Sequence, residues 1–228
     1  MDMIPEWQLK KVLEALYEPL PPKPPRLVIE PKAPRDTSGH KLWYHFDKSL
    51  KELRKGGYER HLRPAEAFGL LRKSLEDTLS EEDQEIAEDM LNGFGEWLSL
   101  AMQREKNLLH CYEDPENLVW DKKKWLYVVE GETLPYSSEK IFDVGALSSG
   151  YHSLELFPID LQQYLYGCTW DELPDEMRVG SHPARLWLPP EQVLWSVGRG
   201  DYNGRYDVYT YCNNRASRGV RVENGGIT

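Results

Sequence analysis

The chain has 228 residues, of which 40% are hydrophobic and 11% aromatic, and its formal net charge is -10 at pH 7. This length and aromatic content exclude a wholly disordered protein, because disordered chains lack the aromatic residues from which a core is built. The net negative charge disfavours nucleic-acid binding over the whole surface, since such binding requires Lys and Arg to neutralise phosphates.

The N-terminal part of the chain predicts a short helix followed by a proline-rich linker. Apolar residues recur at helical spacing within residues 1–17, and seven prolines follow within residues 18–38. A proline run favours extended polyproline II, so the helix is expected at the end of a stiff tether. We expect residues 1–35 to contact another protein, a second copy of the chain or the body of the chain itself.

A possible docking motif lies inside this linker. Pro21, Pro24 and Arg26 match the spacing that domains with aromatic grooves bind, because polyproline II is preformed and the arginine can pair with an acidic rim. The alternative is that the stretch from Pro21 to Arg26 serves only as a linker.

The region 39–115 is predicted to be helical. One helix is expected to begin near Pro64, and a second is expected to follow the N-cap residue Ser80 and to continue to about Tyr112. A short turn between two long amphipathic helices predicts an antiparallel helix hairpin.

Residues 116–228 have the character of a strand-rich region. Short apolar runs are separated by turn residues and by two short helical patterns, which predicts a mostly antiparallel sheet with short helices. We expect this region to pack with residues 39–115 as one globular body. The predicted fold class is therefore α+β, with a helical N-terminal half that contains an antiparallel helix hairpin, followed by the sheet.

A β-hairpin is predicted near the C-terminus, where Asn203-Gly204 is the strongest short turn signal in the chain. Both residues of a two-residue hairpin turn must accept a positive φ, which Asn and Gly do readily. This turn places Gly198 opposite Tyr209, so that the tyrosine ring covers a strand glycine. The face that carries Asp207 and Tyr209 is expected to be at least partly exposed.

The same hairpin and the residues after it are predicted to bind nucleic acid or another phosphate-bearing ligand. Residues 196–221 carry a net charge of +3, whereas the rest of the chain carries -13. Tyrosine rings can stack on bases, and arginines can bind phosphates through two hydrogen bonds. The alternative is that these residues only keep an exposed sheet edge soluble. The candidate ligand-binding residues are Arg199, Arg205, Tyr209, Tyr211, Arg215, Arg218 and Arg221.

No established catalytic motif is present, and we predict no catalytic residue, bound metal or cofactor. We therefore expect a non-enzymatic binding or assembly protein. The alternative is a metal-dependent hydrolase or nuclease that uses the most polar segment of the chain, provided that the fold brings its side chains together. The residues of that alternative site are Asp143, His152, Glu155 and Asp160.

The three cysteines, Cys111, Cys168 and Cys212, are too far apart in the sequence for a paired motif. This pattern predicts a cytoplasmic protein with reduced thiols. No segment is long and apolar enough for a membrane span, and the N-terminus lacks the order of charges of a secretory signal. We therefore expect no association with a membrane.

Overall fold

The computed structural model describes residues 26–92, 95–179, 183–201, 204–210 and 215–223. The predicted N-terminal helix over residues 1–17 and the prolines from Pro21 to Pro25 lie outside these ranges. Within the described part, Val28–Arg221 belong to one compact unit. A second unit comprises Met1–Leu27 and Val222–Thr228, of which residues 26, 27, 222 and 223 are described.

The described ranges contain twelve strands in three sheets. The strands are β1 (Arg26–Ile29), β2 (Arg60–His61), β3 (Glu96–Glu105), β4 (Leu108–Glu113), β5 (Leu118–Asp121), β6 (Leu126–Val129), β7 (Ser138–Asp143), β8 (Gly150–Ser153), β9 (Arg185–Leu188), β10 (Leu194–Asp201), β11 (Gly204–Thr210) and β12 (Gly219–Glu223). The central sheet has the order β7-β4-β3-β10-β11-β9-β8, and the two smaller sheets have the orders β1-β12-β2 and β5-β6. In the central sheet, β11 and β9 are parallel and the other neighbours are antiparallel.

The helices are short, and local chemistry explains where two of them begin. Pro64 occupies the first turn of its helix, where its missing N–H is not needed, and the Ser80 hydroxyl accepts a hydrogen bond from the Asp83 N–H at 3.2 Å. Both predicted starts are confirmed. No helix within the described ranges is long and apolar enough to cross a membrane. The helices are α1 (Phe46–Lys55), α2 (Pro64–Leu75), α3 (Glu81–Leu91), α4 (Ile159–Tyr166) and α5 (Asp175–Arg178).

The predicted helical N-terminal half, with its antiparallel helix hairpin, is wrong. Helix α3 ends at Leu91, and the chain then forms β3 and β4 where a helix was expected to continue to Tyr112. Strand β3 has a neighbour on each side and is buried on both faces from Glu96 to Met102, so the run from Trp97 to Met102 is apolar on both faces apart from Ser99. Such a run lacks the alternation that identifies a half-exposed strand. The mixed α and β content is confirmed, but strands dominate.

The proline-rich segment that was expected to reach residue 38 contains a strand in its described part. Strand β1 belongs to the three-stranded sheet, and the Glu30 N–H donates a hydrogen bond to the carbonyl oxygen of Gly219 at 2.8 Å. Ala33, four residues after β1, is buried. Residues 28–38 therefore belong to the folded unit and not to a linker.

An aromatic cluster holds α1 and the β5–β6 hairpin against one face of the central sheet. Phe46, Trp97 and Tyr127 contact one another edge to face, with ring centroids 5.7 to 6.5 Å apart. The Phe46 N–H donates to the Tyr127 hydroxyl at 3.0 Å, and the Trp97 indole N–H donates to the Tyr44 carbonyl oxygen at 2.8 Å. These contacts fix the segment before α1 and the β5–β6 hairpin on the same sheet.

Helices α2 and α4 pack against each other and onto the sheet. Phe68 of α2 stacks on Tyr166 of α4 with ring centroids 4.1 Å apart. The Tyr166 hydroxyl donates to the carbonyl oxygen of Tyr206 in β11 at 2.5 Å. Leu98 and Leu100, which alternate with the aromatic-cluster positions along β3, are buried as well. The central strands are thus covered on both faces.

The predicted pairing of β10 with β11 is confirmed, because Gly198 pairs with Tyr209. A register shift separates Arg199 from Asp201, and the predicted turn residue Asn203 lies outside the described ranges. The expectation that Asp207 and Tyr209 face solvent is wrong, since both are buried. Strands β10 and β11 lie inside the seven-stranded sheet and not at its edge.

We expect Gly95→Ala to destabilise the protein by about 3 kcal/mol, because an added methyl group meets rigid backbone. Gly95 has a φ of +42°, and a Cβ there would lie 2.6 Å from the Arg199 carbonyl oxygen and 2.7 Å from the Tyr209 hydroxyl. Gly69 in α2 is the matched control, because a Cβ there meets nothing within 4 Å. Gly69→Ala should stabilise by up to about 1 kcal/mol. Urea unfolding measures both, and equal stability of Gly95→Ala and the unaltered protein would contradict this packing.

Candidate functional site

Four of the predicted ligand-binding residues are buried, and Arg218 is 0% exposed. Its guanidinium donates to Glu96 at 2.9 and 3.1 Å and to the Asp89 carboxylate. It also donates to the carbonyl oxygens of Glu30 and Pro31, at 2.6 and 2.9 Å. All three guanidinium nitrogens therefore have acceptors within the protein. Arg218 acts inside the fold and is not an exposed phosphate-binding residue.

A second cation, Lys41, completes this group, which we call the buried ionic network (Lys41, Asp89, Glu96 and Arg218). The Lys41 ammonium lies 3.1 Å from Glu96 Oε1 and 3.5 Å from Asp89 Oδ2. Arg35 pairs with Asp89 at the outer side of the network. The network joins the segment before α1, helix α3, strand β3 and the segment before β12.

The carboxylates of the network stay ionised despite their burial. Burial by itself raises the pKa of Glu96, but the charges of Arg218 and Lys41 outweigh it and lower the pKa from 4.5 to about 2. The pKa of Asp89 is also lowered, because its hydrogen bond from Arg218 and the charge of Lys41 exceed the effect of burial. At neutral pH the positive charge of Arg218 is thus balanced inside the protein.

Arg199 and Arg215 are likewise enclosed. Arg199 donates to the Met90 carbonyl oxygen at 2.7 Å, and burial lowers its pKa although Glu96 opposes this effect. Arg215 donates to the Tyr209 hydroxyl, and its guanidinium lies 5.0 Å from the centre of that ring and 5.9 Å from the Trp43 ring. Both arginines hold parts of the fold together.

The other predicted ligand-binding residues are less enclosed or not described. The Arg221 guanidinium lies 5.6 Å from the centre of the Tyr58 ring, and its side chain is half-buried. The side chain of Arg205 and the whole of Tyr211 lie outside the described part of the structure. The expectation of an exposed arginine- and tyrosine-rich surface is corrected for the four buried side chains, because each contacts the protein itself. These four are Arg199, Tyr209, Arg215 and Arg218.

The residues of the alternative hydrolase site do not form a metal-binding group. Asp143 and His152 lie in β7 and β8, the strands at opposite edges of the central sheet. The His152 Nε2 atom lies 2.7 Å from the Ser148 carbonyl oxygen, whereas Glu155 and Asp160 are exposed near the start of α4. In the described ranges, no three His, Cys, Asp or Glu side chains are arranged to hold a metal ion.

A surface that the sequence analysis did not select combines aromatic rings with lysines. The turn between β5 and β6 carries three consecutive exposed lysines, followed by Trp125, which is 67% exposed. The Asp121 carboxylate accepts hydrogen bonds from the N–H groups of Lys123 and Lys124, at 2.8 and 3.2 Å. These hydrogen bonds fix the backbone of the turn.

Trp125 has an unusual backbone conformation. Its φ is +56°, in the left-handed region that bulky residues rarely adopt. The Trp125 N–H donates to the Asp121 carbonyl oxygen at 2.9 Å, which closes the turn. Trp125 also contacts the Trp120 ring edge to face, at 6.2 Å between centroids. The left-handed conformation thus belongs to the closed turn, which leaves the Trp125 ring mostly exposed.

His45 extends this surface on the other side of Trp120. The two rings are stacked with centroids 5.1 Å apart and an interplanar angle of 13°. Burial lowers the pKa of His45, and Lys122 lowers it further while Asp47 opposes the change. The imidazole is therefore neutral at pH 7. We call this surface the tryptophan–lysine face, which consists of His45, Trp120, Lys122, Lys123, Lys124 and Trp125.

One sequence signal for this face was available. A lysine run that leads directly into a tryptophan, between two short strands, places cations and an aromatic ring on one turn. The arginine-rich hairpin was the predicted site instead, because it combines several arginines with tyrosines. The stacking of His45 on Trp120 had no sequence signal, since these residues are 75 positions apart in the chain.

Comparison with known proteins adds little to this description. No protein-family model matches the chain, and no curated protein matches it. A solved structure described as "Accommodation of massive sequence variation in Nanoarchaeota by the C-type lectin fold" is 13% identical, with a TM-score of 0.36. The match covers 90% of this chain and 100% of that chain. A likeness this weak carries no argument about fold or function.

The buried ionic network predicts a loss of stability in acid. Because folding lowers the pKa of Glu96 to about 2, its contribution is complete above the unfolded value of 4.5 and disappears as the pH falls towards 2. We expect Glu96→Gln to be about 3 kcal/mol less stable at pH 7, because it leaves buried cations underpaired. The variant should also lose less stability than the unaltered protein between pH 4.5 and 2.

Urea unfolding at a series of pH values measures this effect. Glu85→Gln is the control, because Glu85 is an exposed acid in α3 outside the network. It should follow the pH dependence of the unaltered protein. The same pH dependence in Glu96→Gln and Glu85→Gln would contradict the role of the network.

Proposed function

We propose that this protein is a non-enzymatic binding protein that holds a single-stranded nucleic acid on the tryptophan–lysine face. The observation that carries the proposal is the exposed ring of Trp125, in a left-handed backbone conformation directly after three exposed lysines. Proteins bind single strands by stacking bases on aromatic rings and by placing cations along the phosphates. Both elements are present on this one turn.

The geometry favours a single strand over a duplex. An aromatic ring can stack on a base only where that base is not already stacked within a helix. His45 and Trp120 stack on each other, and the mostly exposed ring of Trp125 lies edge to face against Trp120, where a base could stack on it. The few cations of the face suit a small number of phosphate contacts.

The charge on the turn is available to a ligand. Lys122 and Lys123 have no ion-pair partner within the described ranges, whereas Lys124 lies 3.8 Å from the Asp121 carboxylate. By contrast, the charges of Arg199 and Arg218 have partners inside the protein. We therefore place the ligand on the lysine turn and not on the buried arginines.

Two other expectations are retained as proposals. We propose that residues 1–35, of which residues 28–35 belong to the main folded unit, contact a second copy of the chain or another protein, as the proline-rich sequence suggests. We also propose a cytoplasmic location, which the free, buried thiols of Cys111 and Cys168 support.

Titration of fluorescently labelled single-stranded DNA and RNA tests the proposed function, with anisotropy measured at two salt concentrations. We expect Trp125→Ala to weaken binding about tenfold, since stacking contributes about 1–3 kcal/mol per base. Replacing both Lys122 and Lys123 with Gln should reduce the slope of log K against log salt by about 1.4, because two phosphate contacts are lost.

Two controls are matched to these variants. Tyr136→Ala removes an exposed aromatic ring elsewhere, and Lys32→Gln with Lys73→Gln removes two exposed lysines elsewhere. Both controls should bind as the unaltered protein does. Absence of binding at low salt, or an equal loss in the controls, would reject the proposal. Binding of a neutral polysaccharide but not of either nucleic acid would also reject it.

A further inference from the structure

Strand β7 forms one edge of the central sheet. Its neighbour is β4, and in the described part of the chain no strand pairs with its other side. An open strand edge presents backbone N–H and C=O groups that can pair with a further strand. The position is distinct from the tryptophan–lysine face and carries a different chemistry.

The hydrogen-bond pattern shows which groups point to the open side. The Val144 N–H, one residue beyond β7, donates to the Asn107 carbonyl oxygen at 2.8 Å, in the register that pairs β4 with β7. In an antiparallel pair, the backbone groups of alternate residues point to the same neighbour. The backbone N–H and C=O groups of the even-numbered residues of β7 therefore point to β4. The N–H and C=O groups of Glu139, Ile141 and Asp143 point to the open edge.

The side chains of these same three residues lie on one face, since they alternate along the strand. They form an acid–apolar–acid pattern in which Ile141 is 53% exposed. Glu139 lies 2.9 Å from the His110 Nδ1 atom and accepts a hydrogen bond from the Tyr136 hydroxyl at 3.2 Å. The Asp143 carboxylate accepts from the Gly145 N–H at 2.9 Å. These contacts fix the Glu139 carboxylate against His110 of β4 and the Asp143 carboxylate against the turn after β7.

An open cleft lies beside this edge, against helix α4. Its volume is about 540 Å³. The cleft gives room for the side chains on the second face of an added strand, and both an ammonium and a carboxylate line it. The lining residues are Lys140, Ile141, Phe142, Asp160, Gln163 and Tyr164.

Charge disfavours a second copy of the chain as the occupant. The pattern of free groups permits antiparallel self-pairing with Ile141 opposite Ile141, which places Glu139 opposite the second copy's Asp143. If the antiparallel pairing is centred on residue 140 instead, Lys140 lies opposite the second copy's Lys140. If it is centred on residue 142, Ile141 lies opposite the second copy's Asp143. Like charges directly opposite each other destabilise strand pairs, and a carboxylate gains nothing from an isoleucine partner.

We infer that the β7 edge binds an extended peptide segment of another protein by strand addition. In the peptide, one apolar residue lies opposite Ile141, and the residues two positions before and after it are Lys or Arg. Those cations then lie opposite Glu139 and Asp143, while the backbone groups of the peptide pair with those at the open edge. This inference is independent of nucleic-acid binding.

Fluorescence anisotropy with two labelled peptides tests the inference on the full chain. The first probe is acetyl-Thr-Lys-Thr-Val-Thr-Lys-Thr-amide, and the second has Glu in place of both Lys. We expect the basic peptide to bind about tenfold or more tightly than the acidic one, because both cross-strand charge pairs change sign. Equal binding of the two peptides, or binding of neither, would overturn the inference.

Ile141→Pro tests the backbone part of the inference. Proline removes the N–H that points to the open edge, while the hydrogen bonds to β4 come from the even-numbered residues and are retained. Binding of the basic peptide should weaken about tenfold, because a hydrogen bond is lost and the ring obstructs the edge. Ile141→Thr is the matched control, since it keeps the N–H and the branched side chain, and it should bind as the unaltered protein does.

A charge-reversal variant decides the question if Ile141→Pro does not fold. With Glu139→Lys and Asp143→Lys combined, the preference should change from the basic to the acidic peptide. An unchanged preference would overturn the inference, as would full binding by Ile141→Pro in its folded form. Light scattering provides a further check, since a dimer that Ile141→Pro disrupts would show a second copy in place of the peptide.

Discussion

The buried pairing of Arg218 with Glu96 and Asp89 is the interaction on which the arrangement of the chain depends. An isolated charge at this depth costs several kcal/mol, so each group is tolerated only while its partners are in place. The three residues come from the segment before β12, from β3 and from α3, and Arg218 also binds two carbonyl oxygens after β1. The network therefore specifies which strands and which helix meet, because other arrangements would leave a buried charge unpaired.

Because of this network, the net charge of a sequence segment differs from the charge that it exposes to a ligand. The region from residue 196 to 221 carries a net charge of +3, yet Arg199, Arg215 and Arg218 are enclosed by the protein. Guanidinium groups suit such positions, since they stay charged and can bind several acceptors at once. The exposed lysines of the β5–β6 turn carry less charge in total but can contact a ligand. Accessibility, and not net charge, therefore decides where an anion could bind.

Local features could be predicted from the sequence, whereas features set by distant contacts could not. The helix starts at Pro64 and Ser80, and the pairing of Gly198 with Tyr209, follow from chemistry within a few residues. Strand β3 was mistaken for a helix because burial on both faces removes its alternating pattern. The burial of Arg218 depends on Glu96, which lies 122 positions earlier in the chain. The conformation of Trp125 has no sequence signal either, since the strained residue is a tryptophan and not a glycine.

The net charge of -10 acts in opposite directions on the two proposed ligands. A nucleic acid is repelled by most of the surface, so the tryptophan–lysine face must offset this repulsion with stacking and with a few close lysine contacts. Binding that depends on stacking in this way is confined to the tryptophan–lysine face and to single-stranded nucleic acid. A basic peptide, in contrast, is attracted by the whole protein, and Glu139 and Asp143 only determine where it pairs. Added salt removes both long-range effects, so the local geometry of each surface then determines its selectivity.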